Sequence, residues 1–68
     1  MKLTKLPFSR WVKAIGWENG LLEAHTAGGI IYHHKNVPQE AFTKFFETPD
    51  YSSNYSIIKA KYRGRRIN

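Results

Sequence analysis

Histidines beside a carboxylate, and a run of cations near one end, are the residues of this sequence with chemistry to offer. His33 and His34 are adjacent in GGIIYHHKNVP (Gly28–Pro38), and upstream His25 follows Glu23 by two positions. Such groups serve as metal ligands, as general bases or as partners in ion pairs. Lys59, Lys61, Arg63, Arg65 and Arg66 crowd the last ten residues with no acid among them. That composition suits phosphate.

What these residues can do depends on the elements that carry them. From Trp11 to Lys35 the pattern is strand-like, and its turns set the register. Asn19-Gly20 is the favoured pair for a two-residue type I′ hairpin turn, in which both residues take positive φ. It pairs Glu18 with Leu21, Trp17 with Leu22 and Ile15 with Ala24. The second turn admits two registers, and one residue of slip moves every side chain to the other face. A three-residue loop, Ala27-Gly28-Gly29, brings Ala24 opposite Tyr32 and Leu22 opposite His34. This register adds Ile30 and Tyr32 to the apolar face of Ile15, Trp17, Leu22 and Ala24, so it is preferred.

Parity then separates the two histidines. Neighbours on a strand point to opposite faces, so His33 and His34 cannot share a metal ion. His34 turns toward the core. His33 falls opposite Glu23 and near His25 on the other face, where a Glu23–His33 cross-strand pair is expected rather than a metal site. The oligomeric state is not readable; either the first strand or the outer sheet face, where Val12 and Ile31 are expected, offers a place for two copies to pair.

After the sheet the period changes. Asn36 and Pro38 are read as a helix start, with Glu40 in the first turn. Ala41, Phe42, Phe45 and Phe46 form a helical apolar stripe, limited by Pro49. Tyr51, Tyr55, Ile58 and Tyr62 recur at helical spacing and mark a second helix, with Ser52 or Ser53 as its cap if it starts late. The predicted fold is α+β: a three-stranded antiparallel meander followed by two helices packed on one face. Residues 1–8 read as an N-terminal extension, 9–62 as a single domain and 63–68 as a basic tail, divided evenly between a solvated, disordered tail and a binding one.

Several of these pieces resemble the KTSC domain, a short module named after the C-terminal extension of some lysyl-tRNA synthetases and found alone in bacterial and phage proteins. IGW (Ile15–Trp17) stands where the family has vGY, Gly29 precedes Tyr32 by three residues, NVP (Asn36–Pro38) enters the helix, and IKAKY (Ile58–Tyr62) resembles the closing Ik..Y. Two stretches depart from the pattern: Tyr32-His33-His34 replaces a Y-x-Y, and PDYSSNY replaces a small A-S-x-G segment. The family has no established activity; the synthetase connection implies RNA binding and nothing about catalysis.

Composition narrows the function classes. Eleven Lys and Arg against five acids give a formal net charge of +6 on 68 residues, which favours anionic partners. Cysteine is absent, so neither a disulfide nor a thiolate metal site is available. There is no GxSxG, no phosphate-cradling glycine loop ending in Lys-Ser/Thr, and no pair of carboxylates on one predicted face, so no enzyme and no cofactor is expected. Charges and Pro7 interrupt the N-terminal stretch before a signal core forms, and no run spans a bilayer. A soluble, cytoplasmic protein is expected.

The leading expectation is a non-enzymatic module that binds RNA or another nucleic acid. Arg10, His33, Lys35, Lys59, Lys61, Arg63, Arg65 and Arg66 are its candidate contacts. Trp17, Tyr32, Phe42, Phe45 and Phe46 read as core, with Trp11 and Tyr62 left partly exposed near the cations. A second class is a phage- or prophage-type regulatory protein whose basic tail meets an acidic host protein, or which sequesters a small anionic nucleotide.

Overall fold

A computed structural model describes residues 1–68. The elements follow in the order β1 (Leu3–Lys5), β2 (Val12–Glu18), β3 (Leu21–Thr26), β4 (Ile30–His34), α1 (Gln39–Phe45), α2 (Tyr51–Lys61) and β5 (Gly64–Arg66). The strands form one antiparallel sheet in the order β1-β2-β3-β4-β5. The class is α+β, but the sheet has five strands rather than three. Both segments expected to lie outside the meander join it as edge strands.

The turn chemistry sets the middle of the sheet. Asn19 and Gly20 take φ of 48° and 85°, and the β2–β3 register pairs Trp17 with Leu22 and Ile15 with Ala24. The three-residue loop at residues 27–29 pairs Ala24 with Tyr32, Glu23 with His33 and Leu22 with His34. Trp17 and Tyr32 therefore share a face with buried Leu22 and Ala24. Rows of aligned residues cross four strands: Gly16-Glu23-His33-Arg65 on the outer face, Trp17-Leu22-His34-Gly64 and Ile15-Ala24-Tyr32-Arg66 on the inner one.

Both helices cover the inner face. Phe45, Tyr55 and Ile58 join Leu6, Val12, Ile15, Leu22, Ala24 and Val37 in the core. Rings dominate it: Phe45 stacks on Tyr51 at 5.3 Å, and Trp17 on Phe42 at 6.4 Å. The Trp17 indole N–H donates to the Val37 carbonyl at 2.7 Å, which ties the first hairpin to the chain entering α1. No helix is long and apolar enough to cross a membrane.

One local expectation is corrected and two are sharpened. Val12 is fully buried, because a register shift between Val12 and Ala14 inserts an extra residue and turns Val12 inward opposite Thr26. α1 starts where Asn36 and Pro38 mark it: Asn36 takes a left-handed turn (φ 60°), and Pro38 is the N-cap residue, with no side-chain cap bond. α2 starts early, at Tyr51, so Ser52 lies within it and caps nothing. The Ser52 hydroxyl instead accepts from the Trp11 backbone N–H at 3.1 Å and pairs with Ser9 Oγ, pinning the loop before β2 onto the helix.

Candidate nucleic-acid interface

The end of α2, the end of β4 and all of β5 meet at an open groove of about 830 Å³. Lys35 enters it from the residue after β4, Lys61 from the last turn of α2, Arg63 from the connection, and Arg65 and Arg66 from β5. His33 completes the set. Antiparallel pairing distributes these groups: Arg65 sits opposite His33 on the outer face, Arg66 opposite Tyr32 on the inner one. The cations therefore flank the sheet edge on both sides.

The electrostatics are one-sided. No carboxylate lines the groove, and none of Lys35, Lys61, Arg63, Arg65 and Arg66 is in an ion pair. All five are exposed. Lys61 also lies 5.7 Å from the centre of the Tyr62 ring, so one aromatic face borders the groove. Two sequence candidates lie elsewhere. Lys59 caps the Trp11 ring at 4.6 Å, and Arg10 is exposed on the connection between β1 and β2.

The adjacent histidines have separate jobs. His33 Nε2 meets Glu23 Oε1 at 2.7 Å, while His25 Nε2 meets Glu23 Oε2 at 2.6 Å. The two imidazoles hold the Glu23 carboxyl below its ordinary range. One carboxylate thus clamps two rings on the outer face, and no set of three His, Cys, Asp or Glu side chains is arranged as metal donors. His34, by contrast, is wholly buried. Its Nδ1–H donates to the Tyr62 carbonyl at 2.9 Å, since a carbonyl only accepts, and its Nε2 accepts from the Tyr55 hydroxyl at 2.6 Å. Burial lowers the His34 pKa and raises that of Tyr55, which keeps the imidazole neutral and the phenol protonated.

What the sequence did not reveal is the order of the basic segment. Nothing in RGRRIN alternates apolar and polar, yet it pairs with β4. Its end is fastened by Asn68, whose amide oxygen accepts from the Ile31 N–H at 3.0 Å and whose amide nitrogen donates to the Gly29 carbonyl at 2.7 Å. Gly64 is the one legible signal, explained by its closeness to the His34 ring. In comparison with known proteins, no family model matches the chain and no curated protein is significantly similar to it.

Proposed function

We propose that the chain is a non-enzymatic binding module that holds RNA by its phosphates along the β4–β5 groove. One observation carries the reading: six of the eight candidate contacts converge on a single groove that contains no carboxylate. Lys35, Lys61, Arg63, Arg65 and Arg66 act as the phosphate contacts, with His33 at the outer rim. Arg10 and Lys59 stand outside the contact set. Phosphate contacts position a nucleic acid without reading its sequence, so mixed RNA sequences bind with similar affinity. The resemblance to the KTSC module, with its synthetase connection, points the same way.

Titrating mixed-sequence single-stranded RNA into the isotopically labelled protein checks this. Amide shifts are expected to move at His33, Lys35, Lys61 and Arg63–Arg66, while those of Leu3–Lys5 on the opposite edge strand stay still. Shifts spread evenly over the molecule, or confined to the end that carries Arg10, would contradict it. A response to an acidic peptide or a free nucleotide, with none to RNA, would favour a different anionic partner for the same cations.

A further inference from the structure

We infer that β5 is a releasable strap docked by His34, so that its arginines, Arg65 and Arg66, are held in the groove only while the imidazole is neutral. This rests on the groove being the phosphate-binding site.

Little else holds β5. Its three residues are exposed, and the two arginines have no acidic partner. Apart from the short ladder to β4 and the Asn68 clamps, its anchor is one buried ring. His34 grips the chain on both sides of Arg63: its Nδ1 holds the Tyr62 carbonyl, and its face lies against Gly64. A Cβ on Gly64 would run into the ring Cε1 and lie 2.9 Å from Nδ1, nearer than such atoms approach. Glycine is therefore the residue that allows this docking.

Protonation would undo the arrangement. Nε2 would become a donor, the Tyr55 oxygen would have to accept, and the hydroxyl proton would lose its only acceptor. The new charge would sit in a site closed to water. Lys59 from α2 and His33 beside it on β4 act against it, Tyr55 is neutral, β3 offers Leu22, and β5 offers Gly64. The Tyr62 carbonyl, which accepts from Nδ1–H in either state, favours the charge, but burial outweighs it and no carboxylate faces the ring to compensate. Peeling β5 away admits water to the imidazolium and leaves the core formed by β2, β3, β4 and the helices in place. The lowered His34 pKa is consistent with this tension.

The sign of the pH dependence separates this device from simple electrostatics. Acid adds positive charge to any surface bearing histidine, so a rigid groove would bind RNA more tightly at about pH 5 than at about pH 7.5. The strap predicts weaker binding.

The experiment follows amide hydrogen-exchange protection of Ile67, whose N–H donates to the Ile31 carbonyl at 3.0 Å. It is paired with the affinity of the full chain for fluorescein-labelled mixed-sequence RNA. Ile67 should lose protection on acidification while Leu22 and Ala24 keep theirs, and affinity should fall with it. Gly64→Ala leaves the charge unchanged and lies outside the core. It should abolish Ile67 protection at about pH 7.5 and weaken RNA binding about twenty-five-fold at ~0.1 M salt, the value of two lost phosphate contacts. His34→Gln, which cannot ionise, should make Ile67 protection independent of pH; if it does not fold, Gly64→Ala decides. Unchanged Ile67 protection in Gly64→Ala and across the pH range would overturn the strap. Release of β5 in a protein that binds no RNA at any pH would uphold the strap and overturn the RNA reading instead.

Discussion

Replacing Arg63, Arg65 and Arg66 together by glutamine is expected to weaken binding of mixed-sequence RNA about a hundredfold at ~0.1 M salt, with the fold retained. A cation on a single-stranded phosphate releases about 0.7 of a condensed counterion, which is worth about a factor of five at that salt. Three contacts multiply to roughly a hundred, and the slope of log affinity against log salt becomes shallower by about two. The variant should fold because all three side chains are exposed and form no ion pair; the only side-chain bond lost is from Arg66 Nε to the Asn68 carbonyl, at the surface. Surface changes of this type usually stay within about 0.5 kcal/mol. Fluorescence anisotropy for affinity, with thermal unfolding as the control, checks both halves. Native affinity in the triple variant would remove these residues from the interface.

Tyr55 carries the second large effect. Its ring is fully buried, 5.3 Å from Trp11 and edge-on to His34 at 5.4 Å. Tyr55→Ala should cost about 3–5 kcal/mol, the range for truncating a buried aromatic. A domain of this length has only roughly 3–10 kcal/mol in total, so the variant should be largely unfolded near room temperature. Tyr55→Phe isolates the hydroxyl. It retains the packing but leaves His34 Nε2 without a donor, at a cost of about 1–3 kcal/mol.

The pH dependence of that difference follows from the sign of the His34 shift. The folded value lies below the ordinary 6.5, so the unfolded chain binds the proton more readily. The stability contributed by neutral His34 is therefore complete above about pH 6.5 and is lost as pH falls through the lower folded value. Glu23, also lowered, acts in a more acidic window: its contribution is present above the ordinary 4.5 and is lost below it. Removing the Tyr55 donor weakens the preference for neutral imidazole. Denaturant unfolding should thus show a large gap between Tyr55→Phe and the native protein at pH 7.5 that narrows toward about pH 5. A constant gap across that range would mean that the hydroxyl does not govern His34 ionisation.

The residues that betrayed their place in the sequence are those whose neighbours left one choice. Asn19-Gly20 permits one turn, that turn sets the face of Trp17, and the three-residue second loop then separates His33 from His34. The Glu23–His33 pair followed from the same register, although the second imidazole on Glu23 did not. Edge strands were hidden for a physical reason. Leu3–Lys5 and Gly64–Arg66 bury almost nothing themselves, so no hydrophobic pattern marks them; backbone bonds to an already formed neighbour fix their position. Val12 was misplaced because a bulge depends on backbone geometry that alternation alone does not record. At the groove, charge composition identified the cations, but only the fold separated Lys59 and Arg10 from the rest. The alternative of a disordered basic tail gives way to a paired strand, and that order gives the arginines fixed positions.

The most direct measurement is the affinity of the native chain for mixed-sequence RNA as salt rises from about 50 to 200 mM. Five phosphate contacts imply a slope near −3.5 and a fall of about a hundredfold over that interval. Absence of binding at about 50 mM, or a change smaller than about twofold across the range, would contradict a groove whose unpaired cations grip phosphate.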